Sequence, residues 1–220
     1  MRLTILLFDG FTALDVVGGY EVLANVPGIE LEFAAAEHGV VAADTGRLGM
    51  FAYRRFDQLV STDILYVPGG PGIAAALEDQ ALLDCIRRLD ATSQWTVSIC
   101  NGAELLGAAG LLAGRRVTTN WFARDRVAAY GAVIETARFH RDGKLVTGAG
   151  VSASIDAGLF LAGLLAGEAT ARLIQFGIEY FPDPPFGNGT PDTQPEAAKA
   201  ILRRIEQAAK QRLAARDIPF

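Results

Sequence analysis

Cys100 ends an apolar run, WTVSIC, and is followed at once by NGAELLGAAG. A buried strand that turns directly into a helix forces a tight bend at the joining residue. Gly102 lets the backbone pass, and the side chain at the bend projects above the sheet near a helix N-terminus. Free N–H groups there favour a thiolate, as in the nucleophile turns of other α/β enzymes. On this pattern alone, a buried structural thiol fits as well as a reactive one. Cys85, in ALLDCIRRL, shares a helical face with Leu82, Ile86 and Leu89 and reads as a packing residue.

Three further groups bear on Cys100. In DILYVPGGPG, Gly69 and Gly70 follow another buried strand, where glycine lets a backbone N–H approach a ligand. One N–H from Gly70 and one from Asn101 would make an oxyanion hole; a simple tight turn is the plainer account. Asp15, in FTALDVVGGYEVL, falls in the first turn of a helix. It answers Thr12 in a capping box, or its carboxyl is held against the thiol. Glu21 and Glu104 are near in sequence and read equally as solvated or hydrogen-bonded helix residues. The chain has two histidines, His38 and His140, and both suit exposed loop or strand ends. No His/Cys/carboxylate cluster has metal-ligand spacing, and no P-loop or GxGxxG motif follows a strand.

The elements that must position these residues alternate. Strands are expected at Leu3–Phe8, Ile29–Glu37, within DILYVPGG, and at Trp95–Cys100, with a hairpin between Val40 and Phe56. Helices are expected at 12–25, 80–89, 102–112, 153–166 and 170–181. AVIETARFHRDGKLVTGAG reads as two strands around Asp142-Gly143. Continuous apolar strands alternating with helices imply an α/β fold: a mainly parallel sheet covered on both faces. After PDPPFGNGTPDTQP, Pro195 opens a last helix. Ala198, Ile201, Leu202, Ile205, Ala208 and Leu213 recur on it at helical spacing, which suits either a helix docked on the core or a dimer contact.

With 220 residues, half of them hydrophobic, the chain suits one domain over 1–220 with a sizeable core. Its net charge of −5 and pI near 5.1 argue against nucleic acid or anionic membrane as a partner. The N-terminal apolar stretch is too short for a signal peptide. The stretch 149–167 contains Asp156 and reads as a buried helix, not a membrane span. Two cysteines without a disulfide pattern suit a reducing, cytoplasmic setting.

SICNGAELLGAAGLLAGRRVTTNW resembles the nucleophile region of the DJ-1/PfpI superfamily. FTALDVVGGYEVL, YVPGGPG, LVTGAGVSASIDAGL and EYFPDPPFGNGTPDT match its other landmarks in order. LD-x-x-G at Asp15 and PPF-x-x-G-x-PDT near residue 190 look most similar to the isonitrile hydratase branch. The resemblance implies a flavodoxin-like sandwich of the class I glutamine amidotransferase-like kind and a homodimer with active sites near its interface. It implies a small-molecule electrophile as substrate and no metal or organic cofactor. It implies that Cys100 is the nucleophile, that Asp15 contacts it, that the Gly70 N–H faces the site, and that Val151 belongs to the pocket wall. Relatives also suggest a glyoxalase- or deglycase-like action on small carbonyls, or a cysteine redox sensor. Two residues depart from the pattern. The hydratases usually carry Thr where this chain has Asn101, and many superfamily members carry His where it has Asn120, so a Cys–His pair is not expected.

Overall fold

The computed structural model describes residues 1–187 and 189–215. Arg2–Leu6 (β1) leads through Ala13–Leu23 (α1) to Glu30–Ala35 (β2). The hairpin Gly39–Ala42 (β3) and Gly49–Ala52 (β4) follows, then Arg54–Arg55 (β5) and Ile64–Val67 (β6). Ile73–Ala76 (α2) and Gln80–Thr92 (α3) precede Trp95–Ile99 (β7), and Ala103–Ala108 (α4) comes next. Arg116–Val117 (β8), Arg124–Ala128 (α5) and Val133–Ile134 (β9) lead to the hairpin Phe139–Asp142 (β10) and Leu145–Gly148 (β11). Ala153–Ala166 (α6), Glu168–Gly177 (α7) and Glu196–Ala214 (α8) complete the described chain.

The main sheet has the order β10-β11-β7-β6-β1-β2-β5. Every pairing in it is parallel except β10 with β11. From β1 the chain moves through α1 toward β2, and from β6 it moves through α3 the opposite way. Right-handed crossovers in opposite directions put α1 and α3 on opposite faces; α6 packs on α1, and α4 packs on α3. Residues 64–67 of β6 are all buried, as the uninterrupted apolar run requires of a strand covered on both faces. Ser154 Oγ of α6 donates to Leu14 O at 3.0 Å, which ties the first turn of α1 to the neighbouring helix.

Several expectations shift. The helix expected over 102–112 is only α4, because Gly110 adopts φ +83° and ends the segment. The Asp142-Gly143 turn does join β10 to β11, whereas β9 leaves that hairpin and pairs with β8. The tail helix forms, but its apolar stripe is not docked on the core: Ile201, Leu202 and Ile205 are exposed, and α8 buries no residue completely. Another face turns inward. Glu206 lies 3.7 Å from Arg126, Arg203 stands over the Trp121 ring, and Leu213 lies over Gly10. Residues 206, 210 and 213 follow helical spacing, and Lys210 pairs with Glu206 at 2.7 Å; ion pairs and one leucine set this face. Among the described residues no helix is long and apolar enough to cross a membrane.

Candidate active site

The start of α1, the Gly69–Gly70 turn and the turn at Cys100 meet at the carboxyl ends of β1, β6 and β7. The chain leaves β1 toward one edge and later returns toward the other, so this is the switch point of the sheet, where ligands of open α/β sheets bind.

Cys100 opens a one-turn 3-10 segment, Cys100–Gly102, directly after β7. Its φ is +58°, a conformation that costs a non-glycine residue about 1–3 kcal/mol and persists only where the surroundings hold it. They do: Thr119 Oγ1 donates to the Cys100 carbonyl at 2.7 Å, and the Asn120 N–H donates to it at 3.3 Å. A Cβ at residue 102 would stand 2.6 Å from Val67 O and 2.7 Å from Pro68 O. The small residue after the bend is therefore demanded by the main chain of β6 and its loop.

Asp15 is fully buried in the first turn of α1. The capping-box account fails. Thr12 makes no side-chain cap bond and instead donates to Asp44 Oδ2 at 3.3 Å. Asp15 Oδ2 accepts the Gly69 N–H at 2.8 Å, and its carbonyl accepts Tyr66 OH at 2.5 Å. Oδ1 has no hydrogen-bond partner among the described residues, and the Cys100 thiol is the smallest of the influences on the carboxyl, favouring its ionised form. Burial pushes the Asp15 pKa from 3.8 up to about 7, against the Gly69 bond and with help from the Asp44 charge.

The Cys100 side chain is also buried, and its pKa is pushed well up, by burial first and by the Asp15 charge second, with Glu206 adding. Asn120 Nδ2, 3.3 Å from the sulfur, and the Asn101 backbone N–H pull it down. Burial and the Asp15 charge thus oppose the thiolate that a helix N-terminus would favour. α4 has only six residues and starts after the 3-10 turn, and loss of water outweighs its dipole.

The expected N–H pair is half present. The Gly70 N–H donates to Asn101 Oδ1 at 2.7 Å, and Asn101 Nδ2 donates back to Gly70 O at 3.1 Å. This closed pair takes the Gly70 N–H away from the sulfur, while the Asn101 backbone N–H faces it. A Cβ at residue 69 would stand 2.2 Å from Asn101 Oδ1, so the glycine admits the asparagine side chain. Val151 is half-buried in the turn after β11, the strand beside β7. Glu104 is buried and forked onto Arg126 at 2.8 and 2.9 Å, and Glu21 is exposed. His38 is exposed and packs edge-on against Phe51, and His140 lies on edge strand β10. Among the described residues no three His, Cys, Asp or Glu side chains are grouped to hold a metal.

The residue types did not reveal two of the groups around the sulfur and its acid. Tyr66 announces itself only as a hydroxyl in a buried strand, which must find an acceptor. Glu206 comes from a helix more than a hundred residues away in sequence.

A mostly parallel sheet with a strained cysteine after an interior strand and a buried acid from its first helix defines a cysteine-centred α/β protein. Residues 1–162 match the DJ-1/PfpI family, and the chain belongs to that family. It is 40% identical to the isonitrile hydratase of Pseudomonas putida over 204 residues, 93% of this chain and 89% of that protein. The structure of a ThiJ/PfpI family protein from Pseudomonas syringae matches with a TM-score of 0.88 at 32% identity, covering 98% of this chain and 90% of that one. A DJ-1 superfamily protein from Salmonella typhimurium matches at 0.73 and 28% identity, covering 82% and 98%. The flavodoxin-like, class I glutamine amidotransferase-like architecture expected from the motifs is the one these matches support.

Proposed function

We propose that the protein is a hydro-lyase that hydrates isonitriles, R–N≡C, to N-substituted formamides, with Cys100 as nucleophile and Asp15 as the acid–base group. The observation that carries this reading is the fully buried Asp15 carboxyl, one oxygen of which has no hydrogen-bond partner among the described residues, at the same sheet end as the strained Cys100 turn. The 40% identity to the Pseudomonas putida hydratase supports it.

Asp15 takes the thiol proton as sulfur attacks the terminal carbon of the isonitrile. That carbon must gain a proton as the S–C bond forms, and Asp15 returns one to it, giving a thioimidate, R–N=CH–S–Cys100. Asp15, again ionised, removes a proton from water as the hydroxyl adds to the same carbon, and passes that proton to nitrogen. Collapse of R–NH–CH(OH)–S–Cys100 breaks the C–S bond, releases R–NH–CHO, and the hydroxyl proton restores the thiol through Asp15. One water is consumed and no redox change occurs. An acid that both gives and takes protons works best with a pKa near the working pH. The substrate suits the setting: its reactive carbon is the bare tip of a linear group and can reach into the site of a cysteine that is only 5% exposed. A resting redox sensor, by contrast, needs thiolate character, which burial suppresses here. Asn101 serves through its backbone N–H, Gly70 by holding the Asn101 side chain, and Val151 as pocket wall.

We propose further that the chain is one folding unit, kept in a reducing cytoplasm, and that it forms a homodimer. Phe176 and Phe181, 78% and 76% exposed and lining one surface cleft, supply apolar surface for such a contact. Light scattering showing only monomer at micromolar concentration would remove the dimer. The activity test incubates the protein with an aryl isonitrile, with methylglyoxal in parallel, and follows formamide and lactate by NMR. Formamide from the wild type and none from Cys100→Ala supports the reading. Undiminished formamide from Cys100→Ala, or methylglyoxal as the only substrate turned over, overturns it.

A further inference from the structure

Asn120 is one of the two residues that depart from the pattern of the resemblance, and its surroundings give it a definite task. It is buried, it caps the 3-10 segment Trp121–Ala123, and its Oδ1 accepts the Phe122 N–H at 3.3 Å. That bond fixes which end of the amide faces the sulfur. Turning the amide over would set its NH2 against the Phe122 N–H, donor against donor. Nδ2 therefore points at Cys100 Sγ, 3.3 Å away. The backbone N–H of the same residue holds the Cys100 carbonyl, so Asn120 grips the strained cysteine at both ends. The charged groups nearby do not help the sulfur. Asp15 and Glu206 raise the thiol's pKa, and Arg126 is forked onto Glu104 and lies beside Glu206.

We infer that Asn120 is a catalytic residue: its side-chain amide donates a hydrogen bond to the Cys100 sulfur and stabilises the charge that gathers there once Asp15 has taken the thiol proton. This rests on the reading of Cys100 as the nucleophile. An amide donor steadies charge but has no proton to give away, so the proton transfers of the reaction fall to Asp15.

Two variants isolate the donor. Asn120→Ser keeps an oxygen able to cap Phe122 but is too short to reach the sulfur. Asn120→Asp keeps Oδ1 and replaces the NH2 with a second acceptor. The readout is the rate of Cys100 alkylation by iodoacetamide from pH 6 to 10, with Cys100→Ala as background and thermal unfolding as the control for folding. A hydrogen bond to a charged group predicts that Asn120→Ser alkylates about tenfold more slowly at pH 8, with its profile displaced to higher pH, and that Asn120→Asp is slower still. Rates and profiles in both folded variants equal to wild type overturn the inference. Alkylation needs no isonitrile, so the two readings fail separately. A wild type that makes no formamide yet shows this alkylation pattern removes the substrate and keeps the role of Asn120. Formamide production with alkylation unchanged in both variants removes only the role of Asn120.

Discussion

Cys85 and Cys100 are both buried in one chain, and burial raises both thiols. Cys85 sits in the middle of α3 on the face it shares with Leu82, Ile86 and Leu89, and its pKa is pushed up to about 11, eased only by Arg88. Cys100 sits at a strained turn, with an acid to receive its proton and two N–H donors beside its sulfur. Burial by itself makes an inert thiol. What separates the second region from the first is polar company in the same dry space: a base to take the proton and donors to hold the charge that remains.

Four measurements press on that contrast. Replacement of Cys100 by Ala should lower kcat/KM for an isonitrile by at least about 1,000-fold, and comparable turnover in that variant would make the two thiols alike after all. Asp15→Asn keeps an oxygen for the Gly69 N–H but no base, and should lower kcat by about 100- to 10,000-fold. The same variant sharpens the electrostatics. The folded pKa of Asp15, about 7, lies above its unfolded value, so the native state binds more protons. Its contribution to stability is complete below about pH 4 and is lost as pH rises to about 7. Urea unfolding should therefore show Asp15→Asn gaining on wild type between pH 5 and pH 8, by about 2–4 kcal/mol at the upper end. Equal pH dependence in the two proteins would mean the carboxyl is not buried as described. The smallest effect belongs to the other thiol: Cys85→Ala should cost about 1–2 kcal/mol in stability and leave turnover within about twofold, because it loses packing and no chemistry.

Much of the scaffold was legible because sheet burial and turn chemistry act locally. The apolar run Ile64–Val67 could only be an interior strand, and the Asp142-Gly143 turn could only close a hairpin. Gly102 could be read as the small residue after the bend for the same reason. The tail helix was legible as a helix and misleading as a surface. Periodicity shows that Ile201, Leu202 and Ile205 share a stripe, but the face turned inward is the one on which Glu206 meets Arg126 and Leu213 lies over Gly10. Asp15 was legible as a residue of a first helical turn, and its obvious local partner, Thr12, proved to be engaged by Asp44.

The order of residue types along the chain was enough to define an α/β protein with a cysteine at a strand-to-helix bend, because a bend is made by adjacent residues. The ionisation of that cysteine was decided only in three dimensions. The acid comes from the first helix, its N–H anchor from the loop after β6, the amide donor from position 120 and an opposing carboxylate from α8. Charge interactions depend on distance and on the water excluded between groups, and neither quantity is written in the spacing of residues along a chain.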